Sequence, residues 1–263
     1  MGIYYFPYPL SRRLDYVMPE KIKKIITSDS KRLAEKGAEI FCKTAKEVIA
    51  AKNCFAVAIS GGSTPRAMHR LLAQEPYLSD IPWQNIHLFW VDERMVAFDH
   101  PDSNFGSAKK DFFNNILIPP DQVHPMPAMS EPQEGASIYQ KELQNFFNSL
   151  GSHDPEFDLI FLGIGKDGHV ASLFPDQTQL EENKRWVISV KGGQPDLFRL
   201  TLTYYVLNRA RRIFFLVSGK EKAPIVKTVF EKSQVQLPAS KIRTLNGEVT
   251  WLLDKEAASL LTR

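Results

Sequence analysis

Short, unbroken apolar runs alternating with amphipathic stretches constrain this chain more than any other feature. The runs are CFAVAI (54–59), IHLFWV (86–91), FDLIFLG (157–163), RIFFLV (212–217) and VTWLLD (249–254). Runs of this length without polar alternation suit strands covered on both faces, as in a parallel sheet. WVISV (186–190) and RLTLT (199–203) read as further strands. Between the runs lie helical patterns. Over 29–52, Leu33, Gly37, Ile40, Phe41, Ala45, Val48 and Ile49 share one face and lysines and glutamates fill the other. A second helix is predicted over 66–73, with Thr64 as N-cap and Pro65 at the first helical position. Others follow over 103–113 (Ser103 as cap), 132–150 and 220–231, and a short one closes the chain after residue 254. This alternation implies parallel β-α-β units and a three-layer, Rossmann-like α/β sandwich with a mostly parallel central sheet. The Pro-rich stretch 119–132 reads as a loop rather than a linker, and no fixed-period repeat is present, so residues 1–263 are expected to form a single domain.

Composition excludes several classes. The net charge of +3 over 263 residues is small, and lysines and arginines are dispersed among acids, which gives no reason to expect nucleic acid. No stretch approaches the ~20 apolar residues that span a bilayer, and the proline- and charge-bearing N-terminus lacks both a signal-peptide core and a myristoylation pattern. The two cysteines, Cys42 and Cys54, form neither a disulfide framework nor a metal spacing and are expected as reduced thiols, in a cytoplasmic protein.

In open α/β sheets ligands bind at the carboxyl ends of strands, and three polar segments fall there. Ser60, Gly61, Gly62, Ser63 and Thr64 follow the first run. The glycines admit close backbone approach, the hydroxyls can donate, and the next helix offers free N–H groups, which together suit a phosphate. An ordinary capped strand-to-helix turn would read the same way, and the segment is not a Walker A loop. Asp92, Glu93 and Arg94 end the second run: Arg94 can clamp an anion and Asp92 can bond sugar hydroxyls, or the group is a surface salt bridge. Gly163 to Gly168 match a dinucleotide fingerprint, but Pro175 follows too soon for the required helix, and Glu181 and Glu182 precede the next strand instead of ending it. In the same segment Asp167 and His169 are the candidate acid/base pair, with the acid fixing the imidazole tautomer. Backbone N–H groups around Gly165, Lys166 and Gly168 are candidates for an oxyanion site. Arg199 and Lys222 are further candidate cations, each also explicable as a solvated surface charge. GxSxG, HExxH and paired-histidine spacings are absent, so no serine nucleophile or metal site is expected, and His87, His100, His124 and His153 receive no role.

Taken together, ISGGSTP (59–65), WVDERMV and HPDSNFG (90–106), LGIGKDGHVASLFP (162–175), RLTLT (199–203) and SGKEKA (218–223) strongly resemble the 6-phosphogluconolactonase family. The related glucosamine-6-phosphate deaminases share SGGxTP and DGH, but read DEY for DER and DGHIAFNEP for DGHVASLFP. The resemblance implies the fold those deaminases share with ribose-5-phosphate isomerase and CoA transferases. It implies hydrolysis of 6-phospho-D-glucono-1,5-lactone in the oxidative pentose phosphate pathway, without a cofactor. His169 matches the proton-transfer residue and Asp167 its partner; the SGGST loop with Arg94, Arg199 and Lys222 matches the phosphate site. The connection 186–198, with Gly192, Gly193 and Gln194, departs from the Lys-Pro-Pro-like stretch the resemblance leads one to expect. The expected partner is a small sugar-phosphate lactone, with no nucleic acid or membrane, bound by a monomer or weak homo-oligomer. The rival readings are a deaminase-like isomerase and a non-catalytic sugar-phosphate sensor; against the latter, no helix-turn-helix or basic reading face is present.

Overall fold

The computed structural model describes residues 22–175, 182, 184–232 and 235–262; the N-terminal segment read for targeting signals, and Glu181, lie outside them. Seven strands form one parallel sheet: β1 (Ile22–Thr27), β2 (Phe55–Ile59), β3 (Ile86–Trp90), β5 (Val123–His124), β6 (Leu159–Leu162), β9 (Arg212–Val217) and β10 (Glu248–Asp254). Their spatial order is β1-β10-β9-β6-β2-β3-β5, with every pairing parallel. The sheet is flanked by helices in a three-layer arrangement, principally α1 (Ser30–Lys52), α2 (Ser63–Leu72), α5 (Pro132–Ser149) and α7 (Ala223–Glu231). β2 is buried at every position, as its unbroken apolar run requires.

Local chemistry fixes the ends of these elements. Asp29 caps α1 by accepting from Arg32 N, and Asn53, in the left-handed region, ends it. Asp158, almost fully buried, accepts from Ala56 N and pairs with Lys52 at 2.8 Å, so the end of α1 and the starts of β2 and β6 are tied together. The buried face of α1 is Leu33, Ala34, Gly37, Ala38, Phe41, Cys42, Thr44 and Ala45, with Ile40, Val48 and Ile49 only partly buried against the core. Gly37 lets α1 approach α2 closely, since a Cβ there would press on the Met68 side chain. Both cysteines are unpaired, Cys42 buried and Cys54 half-buried.

Several elements differ from the sequence reading. The N-cap of α2 is Gly62, at φ 96°, not Thr64; only glycine adopts that angle without strain, so the helix starts two residues earlier and Pro65 sits inside its first turn. The helix expected over 103–113 is α4 (Asn104–Ala108), capped by Ser103 Oγ, running into a π-helical turn at Lys109–Phe113. β4 (Asp92–Arg94), β7 (Val187–Gly192) and β8 (Leu197–Leu202) lie outside the parallel sheet and form a three-stranded antiparallel one, β4-β8-β7. Two further short α-helices among the described residues are α3 (Tyr77–Asp80) and α6 (Tyr204–Leu207). Residues 255–260 after β10 form turns rather than the expected helix, although the Asp254 carboxylate accepts from Ala257 N as a cap would.

From β2 the chain moves outward to β3 and β5, then returns to the other side of β2 with β6. The strand order therefore reverses between β2 and β6, and the loops leaving their carboxyl ends diverge there, opening a crevice. Residues 60–62 and 163–169 are those loops.

Two histidines outside the crevice, His69 buried and His87 half-buried, are expected to make the fold acid-sensitive. His69 on α2 stacks on Phe112 at 4.9 Å between centroids, and neither ring nitrogen meets a hydrogen-bond partner. Burial holds its pKa down to about 4. His87 on β3 is held down to about 4 by burial and then by His124. Its Nδ1 donates at 3.0 Å to His124 Nε2, because His124 Nδ1 donates to Glu142 at 2.8 Å. An unfolded chain protonates both near pH ~6.5. Below that the unfolded state binds more protons, so the stability is complete at higher pH and is lost as pH falls toward 4. The unfolding free energy, measured by denaturant titration, should drop between about pH 7 and about pH 5, and His69→Leu should flatten that slope by as much as ~1.4 kcal/mol per pH unit. An unaltered slope in this variant would contradict the assignment.

Candidate active site

A cleft of about 280 Å³ opens at the reversal point, lined by Ser60, Gly61, Gly62, Asp92, Arg94, Asn104, Gly163, Ile164, Gly165, Lys166, His169, Ala171, Arg199 and Lys222. It gathers residues from β2, β4, β6, β8 and the segment before α7, which the chain order keeps far apart.

The loop after β6 is a closed turn. Gly165 N donates to His169 O and Gly168 N to Gly165 O, at 2.9 and 3.0 Å. Inside it the His169 Nδ1 hydrogen bond to Asp167 Oδ1 is 2.6 Å, and His169 N also donates to that oxygen at 3.2 Å. A carboxylate only accepts, so Nδ1 carries the proton and Nε2 presents a lone pair. No protein partner occupies Nε2 among the described residues. Gly165 is the position that permits this: a Cβ there would fall on the imidazole and on the Asp167 carboxylate. Gly168, at φ 87°, faces Leu237 rather than the cleft. Ala171, a cleft residue, is held at φ 49°, a strained angle for a side-chain-bearing residue. Turns and one isolated bridge fill 166–175 where a dinucleotide site would need a helix.

The cationic side of the cleft is built by the antiparallel sheet. Arg94 on β4 and Arg199 on β8 are register partners, so their side chains rise from the same face as neighbours. Like charges directly opposed destabilise a ladder. Their hydrogen bonds go to carbonyls: Arg94 Nη1 to Asp102 O at 2.6 Å, Arg199 Nε to Gly192 O at 2.9 Å and Arg199 Nη2 to Pro195 O at 3.3 Å. Neither forms an ion pair among the described residues, and the buried Arg94 Nε has no partner. Burial, and then Arg94, push the Arg199 guanidinium below its ordinary value. Asp92, Asp102 and Glu93 act on Arg199 through space, but none is paired with it directly, and two adjacent guanidiniums free of a direct ion pair can receive an anion. Lys222 reaches the cleft with Nζ bonded to Ile164 O at 2.8 Å, and burial lowers its pKa also.

Carboxylates in this region are structural. Glu93 accepts from Arg94 N, Asn104 N, Phe105 N and Ser103 Oγ, which fixes the start of α4, and burial raises its pKa. Asp92 Oδ2 accepts from Ser172 Oγ at 2.6 Å, and Asn104 Nδ2 donates to Asp92 O at 2.9 Å. Ser172 N in turn donates to Thr201 Oγ1 on β8. The network places Asn104 against Gly61, where no Cβ would fit.

The SGGST loop presents its backbone, not its hydroxyls. Ser60 Oγ donates to Phe161 O in β6 at 2.8 Å. Ser63 and Thr64 line a neighbouring opening shared with Asp29, Glu221, Asp254 and Glu256, an environment that repels phosphate. Gly61 and Gly62 remain in the cleft. Two of the backbone groups considered for an oxyanion, Gly165 N–H and Gly168 N–H, are consumed within the turn. Asn104, Ile164, Gly163 and Ala171 are cleft residues the sequence reading did not select. Only the NFG step after Ser103 offered a signal for Asn104, through the cap.

Residues 28–251 match the family described as glucosamine-6-phosphate isomerases/6-phosphogluconolactonase, and the chain belongs to that family. A 6-phosphogluconolactonase from Synechocystis is 41% identical over 228 residues, covering 84% of this chain and 92% of that protein. One from Haemophilus influenzae is 39% identical over 209 residues, covering 78% and 87%. Among solved structures, the 6-phosphogluconolactonase from Thermotoga maritima superposes with a TM-score of 0.78 at 28% identity, covering 89% of this chain and all of that one. A monomeric glucosamine-6-phosphate deaminase superposes with a TM-score of 0.76 at 26% identity, covering 91% of this chain and 100% of that one.

The paired guanidiniums predict binding of a simple anion. Inorganic phosphate titrated by calorimetry should bind the native chain, and Arg199→Met should weaken it by about tenfold or more. Equal affinities would show that the pair does not hold the anion.

Proposed function

We propose that this chain is an enzyme that hydrolyses 6-phospho-D-glucono-1,5-lactone to 6-phospho-D-gluconate, within the oxidative pentose phosphate pathway. The observation that carries the reading is the union, in one cleft, of a tautomer-fixed imidazole with an open Nε2 and a pair of adjacent arginines that no carboxylate pairs directly among the described residues. The names of the relatives support the same substrate.

The chemistry follows from what each group can do. Arg94 and Arg199, assisted by Lys222, bind the phosphate and so hold the lactone carbonyl near His169. His169 Nε2 takes a proton from water as the water oxygen bonds to C1, giving a tetrahedral oxyanion and an imidazolium. Asp167, bonded to Nδ1, stabilises that imidazolium. Collapse of the oxyanion breaks the bond from C1 to the ring oxygen. The imidazolium returns its proton to the leaving alkoxide, so the histidine ends as it began. Backbone N–H groups of Gly61, Gly62 and Lys166 are the cleft donors for the oxyanion, Gly165, Gly168 and the Asn104 amide being already bonded. No cofactor is required by this sequence of steps.

We also read residues 1–263 as a single domain acting in the cytoplasm as a monomer or weak homo-oligomer. One continuous apolar cluster from Leu33 to Ala257 supports the first part. No described helix is long and apolar enough to cross a membrane.

Lactone hydrolysis measured above the uncatalysed background should fall about 10²–10⁴-fold in kcat for His169→Ala with an unchanged melting temperature. Gly165→Ala, which adds no charge and removes no functional group, should lose at least about tenfold by displacing the His169–Asp167 pair. Wild-type turnover in His169→Ala would end the assignment. Release of ammonia from glucosamine 6-phosphate is expected to be absent.

A further inference from the structure

The end of the histidine loop and the unusual Gly-Gly turn between β7 and β8 meet at one side chain. Phe174 is buried, 7% exposed, and lies behind the cleft rather than in its lining. Its ring centroid is 4.8 Å from that of His169, at an interplanar angle of 54°. The Arg199 guanidinium carbon lies over the same ring, 5.5 Å from its centroid. Gly193 closes the third side: a Cβ there would come 2.9 Å from Phe174 Cζ and 2.5 Å from Arg199 Nη2. Its φ of 83° is also one that a side chain rarely tolerates. The carbonyls that hold Arg199, Gly192 O and Pro195 O, flank this glycine. One rigid ring therefore touches the acid/base group, the phosphate-binding cation and the turn that anchors that cation.

We propose that Phe174 is a positioning residue that couples the grip of Arg199 on the phosphate to the orientation of His169, and that Gly193 is the residue whose missing side chain makes room for this contact. The proposal rests on reading the cleft as a phosphorylated-lactone site. The ring attracts the guanidinium through its electron-rich face, and its apolar bulk separates two groups that carry like charge once His169 has taken a proton from water. A phenyl group has few rotamers, so fixing it against Arg199 restricts the imidazole on its other side. A leucine of similar volume keeps the packing but loses both the face and the rigidity. The Gly192-Gly193-Gln194 stretch thereby acquires a role: it is the form of the turn that accepts an aromatic ring and a guanidinium together.

The test compares wild type with Phe174→Leu, and with Phe174→Met should the first fail to fold. For 6-phospho-D-glucono-1,5-lactone both variants should lower kcat and raise KM, with kcat/KM down roughly 3–30-fold. For unphosphorylated glucono-1,5-lactone, which reads only the histidine end, the loss should be smaller. The Kd for inorganic phosphate should rise several-fold, and phosphate should shift the His169 ring signals in NMR less than in wild type. Equal losses on both lactones with an unchanged phosphate Kd overturn the proposal, as does a raised KM with unchanged kcat. Wild type that binds phosphate but hydrolyses neither lactone rejects the reaction assigned above. The phosphate Kd and His169 signals then decide the coupling on their own: an identical response in wild type and variants refutes it.

Discussion

Arg94 and Arg199 oppose one another across the β4–β8 ladder with no direct ion pair among the described residues, Asp92, Glu93 and Asp102 acting on Arg199 only through space, and the structure around the cleft sustains that contact. Isolated like charges at a half-buried site are costly, and this chain offsets the cost with carbonyls from two separate segments. Asp102 O is brought up by the Glu93-centred cap of α4, and Gly192 O and Pro195 O by the β7–β8 turn. Carbonyls orient the guanidiniums without discharging them, so the positive field stays available to a ligand. A carboxylate at either position would have given a more stable and useless surface.

The acid/base side obeys a different constraint, set by backbone geometry. The turn from Gly165 to His169 closes on itself through two N–H bonds, which commits its backbone and leaves the side chains of Asp167 and His169 to pair across it. Glycine at 165 is a steric requirement of that pair, and glycine at 168 a conformational one. The two halves come together because the sheet reverses between β2 and β6, and because an antiparallel sheet lies beside the parallel one to deliver the arginines. The paired arginines and the His169–Asp167 pair thus come from different sheets that touch through the 172–174 segment, where Ser172 reaches Asp92 and Thr201 and Phe174 reaches Arg199.

Much of this was legible in the sequence because it depends on local chemistry. Apolar runs without alternation marked β2, β3, β6, β9 and β10 of the parallel sheet, and the polar loops after them marked the cleft; β5, two residues long, lies in the 119–132 stretch that reads as a loop, and only its pairing with β3 makes it a strand. Asp167 and His169 were recognisable since two residues apart in a turn is a distance the sequence itself sets. What was hidden was long-range. β4 is three residues long and reads as part of the β3 loop; only its pairing with β8 makes it a strand. β1 has no buried position and no regular alternation, and acquires its place from β10. Thr64 was assigned the cap on residue type, whereas a positive φ at Gly62 decided where α2 begins, and this turned the Ser63 and Thr64 hydroxyls toward a neighbouring acidic opening. Asn104, Ser172 and Thr201 carry no signal as isolated polar residues; their roles exist only once Asp92 gathers them.

The account turns on the direction in which a phosphorylated six-carbon acid lies in the cleft. A crystal structure with 6-phospho-D-gluconate bound tests this directly. The phosphate should sit on the guanidiniums of Arg94 and Arg199, with the carboxylate within hydrogen-bond reach of His169 Nε2. A product bound the other way round, or one whose phosphate rests beside Ser63 and Thr64, would contradict the arrangement on which every step depends.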